Sequence, residues 1–214
     1  MLSYTIIENF LPQSTQDALE TYFQYGCKWN YVSETSGVDG DLAKDKKDPL
    51  ELECPQLVHQ AIYMGVPEET YDLCSIVLRF LESITGCTVG DIEKIKVNMN
   101  LQNILFAGGK YHPPHADMLS EDYFTVIYYI KDSDGPTRFF NKKTTDPFPY
   151  KDLVEIGNVE PKKGRAVLFK SNQLHTGTCP VETENRLAIN FIFKAKNLKL
   201  DFQPQNSLSI GYIK

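Results

Sequence analysis

The pattern of apolar and polar residues in this sequence changes near Gly90. Beyond it, short segments rich in Val, Ile, Tyr and Phe alternate apolar with polar residues, and turn sequences such as AGG, SDG and EPKKG separate them. A period of two is typical of half-buried β-strands, and many short strands favour a sandwich or a small jelly roll. The predicted strands lie near 92–102, 110–117, 123–131, 137–141, 151–159, 165–170 and 185–195.

The chain before Gly90 has a partly helical pattern. One helix is expected over DALETYFQY, capped by Ser14 or Thr15 and ended by Gly26. A second is expected from about Pro67 to Ile84, ended by Gly86, with an apolar stripe that indicates core packing. The stripe consists of Leu73, Val77, Phe80, Leu81 and Ile84. The expected fold class is therefore α+β and mainly β, with N-terminal helices supporting a β core.

The expected domain organisation follows from this division. We expect a single domain over 1–214, with helical support in 1–90, a jelly-roll core in 91–196 and a C-terminal extension in 197–214. Two segments rich in polar residues, a flexible loop near 33–49 and residues 141–152, are candidate loops that close over substrate. Lys44, Lys46 and Lys47 in the first loop would attract an acidic target.

Composition narrows the function classes. The chain has 214 residues, of which 42% are hydrophobic and 23% charged, as in an ordinary globular domain. Its formal net charge of −6 disfavours nucleic acid as a partner. No apolar stretch is long enough to span a bilayer, and the first residues do not resemble a signal peptide. Five cysteines without a CxxC motif predict reduced thiols in the cytoplasm and argue against a zinc ribbon.

The strongest chemical signal is the segment KYHPPHADM, residues 110–118. On a strand, His115 and Asp117 would share one face and bind one ion together. His175 follows the predicted strand RAVLFK and is a candidate third ligand. Two imidazoles and one carboxylate form a facial triad that leaves positions open on iron(II). A bare His-x-Asp is a weak signal, because such a pair is more often a hydrogen-bonded surface pair.

Arg186 adds weight to this interpretation. It opens the alternating strand RLAINFIF, where it would share the inner face with Ala188 and Asn190. A buried guanidinium is costly unless it meets an anion, and a dicarboxylate cosubstrate would supply one in bidentate geometry. The alternative is an exposed Arg186 paired with Glu182 or Glu184.

These residues resemble a known family. The segments GGKYHPPHAD, DYFTVIYYI, DGPTRFF and EPKKGRAVLFKSNQLHTGTCPVETENRLAINFIF look like the iron(II)/2-oxoglutarate-dependent dioxygenases, most of all the prolyl 4-hydroxylase-like branch. The resemblance covers roughly residues 92–195, with 57 residues between Asp117 and His175. It implies a double-stranded β-helix, or jelly roll, in which His115, Asp117 and His175 are the metal ligands and catalytic centre.

The resemblance also implies a cosubstrate pocket. Arg186 matches the basic residue that holds the far carboxylate of 2-oxoglutarate, and Tyr129 matches a tyrosine that donates to the same carboxylate. By alternation Thr125 and Ile127 share the face of Tyr129, and with Asn190 they are further candidate cofactor-binding residues. A slip of one residue would instead make Tyr129 a core aromatic. Thr137 and Phe139 would line the pocket from the next strand.

The sequence leaves the roles of several polar residues undecided. The amide-rich face of Asn98, Asn100 and Gln102 would line the site or face solvent, with equal weight for both. His112 is expected to be a loop histidine, and His59 a satisfied, partly buried histidine on a helix. The family's usual aromatic lies three residues before the first ligand, whereas Tyr111 lies four before His115, so its role is open. Ala188 replaces a serine that contacts cosubstrate in some members.

The implied activity is hydroxylation of an unactivated C–H bond, with release of succinate and CO2. Its cofactors would be iron(II), 2-oxoglutarate as cosubstrate and O2, with ascorbate as an optional addition. The foremost substrate is a prolyl or other residue of a peptide or protein, and the alternative is a free amino acid or small metabolite. A cupin-like metal protein without oxygenase activity, a nucleic-acid demethylase and a binding module with a dead site are weaker alternatives. The carboxylate at 117 favours hydroxylation over halogenation.

Overall fold

The computed structural model describes residues 4–33, 49–63, 66–146 and 152–201. Eleven strands and two α-helices occupy these ranges, and a short π-helix at Tyr22–Gly26 extends the first helix. The helices are α1 at Gln13–Thr21 and α2 at Tyr71–Thr85. The strands are β1 at Tyr4–Ile7, β2 at Asn30–Val32, β3 at Gln56–Tyr63, β4 at Val66–Pro67, β5 at Thr88–Leu101, β6 at Tyr123–Tyr129, β7 at Thr137–Lys143, β8 at Glu155–Val159, β9 at Ala166–Lys170, β10 at Gln173–Thr176 and β11 at Asn185–Lys196.

Two antiparallel sheets build the core. The large sheet has the strand order β1-β9-β6-β11-β5-β3-β2, with β4 paired to β3, and the small sheet has the order β10-β7-β8. Strands distant in sequence are therefore neighbours, as in a jelly roll. The expected fold class, mainly β with a jelly-roll core and N-terminal helices, is confirmed.

The outer face of the large sheet packs against the helices. Alternate residues of β11, Leu187, Ile189 and Phe191, are fully buried in one apolar cluster with Val77 and Leu81 of α2. The remaining stripe residues of α2 are partly buried against the same cluster, so the predicted packing of this helix is confirmed. They are Leu73, Phe80 and Ile84.

The inner face of the same sheet is polar where it faces the small sheet. In the registered pairs of β11 with β5, Arg186 lies opposite Asn100, and Asn190 lies opposite Lys96. Cross-strand partners point to the same side of a sheet, so these four side chains share the inner face. The predicted alternation of β11 therefore places Arg186 inside the jelly roll.

Two predicted elements are wrong. Residues 110–117 form no strand but only isolated bridges at Tyr111 and His115, because Pro113 and Pro114 have no N–H to donate. The segment PQLVHQAIY, expected to be a helix around His59, is strand β3 and pairs with β2, β4 and β5. Tertiary pairing overrides a local pattern that did not distinguish helix from strand.

The helix starts also differ from the predictions. Pro12 occupies the N-cap of α1, so Ser14 and Thr15 lie inside the helix. The second helix begins after Thr70, because Pro67 is part of β4. Its end is as predicted, since Gly86 adopts the left-handed conformation with φ of 69°.

Some predictions fall partly or wholly on residues outside the described ranges. These are most of the loop at 33–49, including its three lysines, the middle of 141–152 and the end of 197–214. The proposed division of the chain into support, core and extension stays a prediction, as does the cytoplasmic location. Among the described residues, no helix is both long and apolar enough to cross a membrane.

Candidate active site

The three predicted metal ligands converge. One side-chain ligand atom each of His115, Asp117 and His175 lies within 4.8 Å of the other two. His175 is on β10, whereas His115 and Asp117 lie on the irregular segment before β6. The backbones of His115 and His175 exchange two N–H···O hydrogen bonds of 2.9 Å, which fix the two imidazoles side by side.

Both imidazoles are held with one ring nitrogen turned away from the cluster. Nδ1 of His175 lies 3.0 Å from the carbonyl of Gln173, and Nδ1 of His115 lies 3.4 Å from that of Pro113. A protonated Nδ1 that donates to a carbonyl leaves Nε2 with a lone pair for a metal. Burial, followed by the neighbouring His175, lowers the pKa of His115 to about 4, which keeps the ring neutral.

Asp117 is held by two side chains of the inner face. The Thr125 hydroxyl donates to Oδ2 at 2.7 Å, and the Asn190 amide donates to Oδ1 at 3.2 Å. Burial alone would raise the pKa of this carboxyl, but His175, His115 and the Thr125 hydrogen bond outweigh it and lower the pKa. Thr125 and Asn190, predicted to contact a cofactor, thus contact the candidate metal ligand; direct cofactor contact stays a prediction.

Arg186 is buried, with 5% of its surface exposed. Its Nε donates to the Gly135 carbonyl at 2.9 Å and its Nη2 to the Thr137 hydroxyl at 2.8 Å. No carboxylate in the described parts of the chain forms an ion pair with it, so the alternative pairing with Glu182 or Glu184 is wrong. The buried guanidinium therefore has capacity for an anion.

Gly135 makes this placement of Arg186 possible. The backbone of residues 178–180 passes so close that a Cβ at Gly135 would collide with the Thr178 carbonyl. Only glycine therefore lets the 135 carbonyl approach the guanidinium. Sequence reasoning assigned Gly135 to a turn and gave no signal for this contact.

Tyr129 points inward, as the alternation predicts, while Tyr128 lies in the outer cluster. The Tyr129 hydroxyl donates to the Thr137 hydroxyl at 2.7 Å, and its ring lies 5.5 Å from the Arg186 guanidinium carbon. Thr137 therefore joins Tyr129 to Arg186. Ile127 and Phe139 belong to the apolar cluster beside them.

The polar residues with undecided roles lie in different surroundings. Asn98 and Asn100 face inward, since they are the partners of Ala188 and Arg186, whereas Gln102 is exposed beyond the strand. Tyr111 packs with Phe140 and Leu174, so its observed role is packing on the small sheet.

The structure also resolves the expectations for two histidines. His59 is satisfied, as predicted, by the Lys28 carbonyl at 3.0 Å and the Thr70 hydroxyl at 2.7 Å, although it lies on a strand. His112, expected to be a loop histidine, is buried and contacts Cys54 and Cys179. The hydrogen bond with Cys179, which is the largest contribution, and the contact with His112 together outweigh burial and lower the pKa of Cys54 to about 5.

Lys96 is a further residue that the sequence did not single out. It lies on the inner face opposite Asn190 and interacts electrostatically with Asp117. Burial, reinforced by Lys94, lowers the pKa of Lys96 to about 8. The alternation of β5 predicts this position. Lys96 is two residues from Asn98 and four from Asn100, so all three side chains point to the same face of the strand.

Comparisons with known proteins agree with this geometry. Residues 99–194 match the family model of the 2OG-Fe(II) oxygenase superfamily. No curated protein sequence matches significantly. A prolyl-4-hydroxylase from Pseudomonas putida is 17% identical with a TM-score of 0.51, covering 90% of this chain and 92% of its own.

Two further solved structures share the fold. A prolyl hydroxylase from Trichoplax adhaerens, in complex with a hypoxia inducible factor peptide fragment, is 16% identical with a TM-score of 0.53, covering 90% of this chain and 83% of its own. The epimerase SnoN, in complex with Fe3+, alpha ketoglutarate and nogalamycin RO, is 12% identical with a TM-score of 0.55. The match covers 90% of this chain and 78% of the SnoN chain.

Residues 99–194, which span most of the jelly-roll core, thus resemble the 2OG-Fe(II) oxygenase superfamily. This family match indicates a 2-oxoglutarate-dependent oxygenase that uses iron(II). The donor set of this chain fits that metal, since two imidazoles and a carboxylate lie together and leave coordination positions free.

Proposed function

We propose that His115, Asp117 and His175 hold the iron(II), and that Arg186 holds the far carboxylate of 2-oxoglutarate. The observation that carries this assignment is the buried guanidinium without a carboxylate partner among the described residues. The guanidinium lies next to the segment that carries His175. A Cβ at Gly177, two residues after His175, would lie 3.7 Å from the Arg186 guanidinium carbon. One bound keto diacid would span these two places.

The residues around the centre have separate tasks in this proposal. When bound, iron(II) and 2-oxoglutarate supply the O2-dependent oxidation of a C–H bond, coupled to release of succinate and CO2. Thr125 and Asn190 orient the Asp117 carboxylate, and Thr137 with Tyr129 orients the guanidinium. The rings of Phe139 and Phe169 pack against His175 and keep water from its buried side.

We propose a peptide or protein as substrate, hydroxylated at a prolyl or another residue. The amide oxygens of Asn98 and Asn190 are buried and lack hydrogen-bond donors among the described residues. Both belong to the inner face, where they would accept hydrogen bonds from the N–H groups of an extended peptide. The two prolyl hydroxylases that share the fold favour the same substrate class.

Lys96 favours a second candidate, a free amino acid or small acid. A partly buried cation on the inner face would pair with a substrate carboxylate, which a free amino acid has and an internal peptide residue lacks. SnoN, whose complex holds nogalamycin RO, illustrates a small-molecule ligand on the same fold.

Succinate formation tests the proposal. Purified protein with iron(II) and 2-oxoglutarate should form succinate slowly alone and faster with a substrate from a panel of prolyl peptides and free amino acids. A peptide substrate predicts that Lys96→Met changes KM little, whereas an amino-acid substrate predicts a rise of about tenfold or more. Lys196→Met, at an exposed position near the end of β11, is the control. Failure of Arg186→Met to alter 2-oxoglutarate use would reject the assignment.

A further inference from the structure

A second cluster of metal-ligating side chains is separate from the triad. Cys54, His112 and Cys179 come from three distant parts of the chain, and their ligand atoms all lie within 4.8 Å of one another. The two Sγ atoms are 3.1 Å apart, and Nε2 of His112 lies 3.4 Å from Cys179 Sγ and 4.0 Å from Cys54 Sγ. All five cysteines of the chain are free, so no disulfide accounts for this approach.

The separations suit three ligands around one ion. Tetrahedral zinc, with bonds of about 2.3 Å to sulfur and 2.0 Å to nitrogen, places its sulfurs about 3.8 Å apart and sulfur from nitrogen about 3.5 Å apart. The three observed separations, 3.1, 3.4 and 4.0 Å, scatter around these values. A shift of a few tenths of an ångström in each side chain would complete the geometry.

The imidazole of His112 is oriented for ligation. Its Nδ1 lies 3.1 Å from the Leu52 carbonyl, which accepts a hydrogen bond from the ring N–H. This leaves the Nε2 lone pair facing the two sulfurs. Such a backbone contact on the far ring nitrogen is the usual support of a metal-bound histidine. The Phe106 ring packs on the imidazole at 4.7 Å, so the ring has little freedom to turn.

The donor types select the metal. Two thiols with one imidazole favour a thiophilic ion, whereas the triad offers imidazole and carboxylate. The walls are apolar, formed by Phe106 with Leu52 and Val181, and they would strengthen binding of a cation to two thiolates. We infer that Cys54, His112 and Cys179 bind a zinc ion, with a water molecule in the fourth position.

This site would brace the catalytic centre. The segment from His112 to His115 and the segment from His175 to Cys179 run beside each other, joined by the bond from the His112 N–H to the Gly177 carbonyl at 3.2 Å. The Thr176 hydroxyl donates to the His112 carbonyl at 2.6 Å. Each segment thus carries one histidine of the triad and one ligand of the second cluster, and zinc would also fix the chain at Cys54 to both.

Cobalt(II) substitution tests the inference independently of the proposed function. Bound to the second cluster, cobalt should give the intense near-ultraviolet charge-transfer absorption of a cobalt–thiolate bond, which the triad, lacking sulfur, does not produce. His115→Ala with Asp117→Ala should keep this band while losing one bound metal ion per chain. Cys54→Ser and Cys179→Ser should each lose the band, and Cys27→Ser, a change at a cysteine outside the cluster, should keep it.

A second measurement guards against variants that fold poorly. In the reduced wild-type chain, added zinc should slow alkylation of Cys54 and Cys179 at least about tenfold, as measured by mass spectrometry of the peptides, with Cys27 unaffected. Absence of the cobalt–thiolate band, its persistence in Cys54→Ser, or equal alkylation rates with and without zinc would overturn the inference. A Cys54–Cys179 disulfide that forms in the presence of zinc would overturn it as well.

Discussion

The two faces of the large sheet differ in what their side chains do. On β11, Leu187, Ile189 and Phe191 point to the outer face and are completely buried among apolar side chains. Arg186 and Asn190, which alternate with them, point to the inner face and make polar contacts. A single strand thus serves two tasks, because its period of two separates them. Substitutions on the outer face should change stability, and those on the inner face should change catalysis.

We expect the strongest loss of activity from a substitution on the inner face. Asp117→Ala removes the only carboxylate of the triad, so succinate formation should fall to background while the melting temperature changes little. Asp91→Ala, which removes a carboxylate with 81% of its side chain exposed, should leave both unchanged. Retention of full activity by Asp117→Ala would reject the metal assignment.

The outer face should give the largest loss of stability. Phe191→Ala deletes a fully buried ring, and the cavity should lower the free energy of unfolding by about 3–5 kcal/mol. The KM for 2-oxoglutarate in the remaining folded enzyme should not change. Ile156→Ala, at a side chain 49% exposed, should cost less than about 0.5 kcal/mol in the same denaturant titration. Equal losses of unfolding free energy in Phe191→Ala and Ile156→Ala would contradict the assignment of the outer face to stability.

Arg186 tests whether the buried charge serves the cosubstrate. Arg186→Met should raise the KM for 2-oxoglutarate about a hundredfold, because one charge-assisted pair with the far carboxylate is lost. The KM of Arg186→Lys should lie between those of the wild type and Arg186→Met, since lysine keeps the charge without the bidentate geometry of the guanidinium. Arg79→Met, at an exposed position of α2, is the control in the same kinetic series. A KM unchanged in Arg186→Met would show that the charge serves another group.

How far the sequence predicted these two faces depends on the segment. Alternation identified β5, β6, β9 and β11, and with them the inward side of Arg186 and Tyr129. It failed at 110–117, where two prolines interrupt strand pairing, yet the His115 bridge to β10 still joins the ligands. In β3 the apolar spacing also fits a helix, and only pairing with β5 decides.

The second cluster lay beyond sequence reasoning for a different cause. Cys54 and Cys179 are 125 residues apart, with no spacing motif between them. Their approach depends on the path of residues 49–55, which have no regular secondary structure beyond one bridge at Glu51. Long-range contacts of irregular segments carry no periodic signal, so only the folded chain brings these side chains to His112.

A smaller effect is expected from Thr125, which supports Asp117. Thr125→Val removes the 2.7 Å hydrogen bond while keeping the shape of the side chain, so iron(II) affinity should fall about tenfold. A titration of activity against iron(II) measures the shift, and excess metal should restore turnover. Thr145→Val, at an exposed hydroxyl 3.5 Å from Glu121, should leave the curve unchanged. Loss of turnover that excess iron(II) does not restore would assign Thr125 a role beyond orientation.

The smallest effect concerns Asp134, next to the turn that precedes β11. Burial opposes ionisation, but the Thr183 hydroxyl and the N–H groups of residues 181–183 donate to its carboxylate and hold its pKa below the ordinary range. A lowered folded pKa gives stability that is present above the unfolded pKa of about 3.9 and lost as pH falls below it. Because solvent screens this exposed carboxylate, Asp134→Asn should cost only about 1 kcal/mol at pH 7, and the difference from wild type should shrink below about pH 4. Urea titrations at both pH values measure it, and a difference independent of pH would show that the turn is held by shape and not by charge.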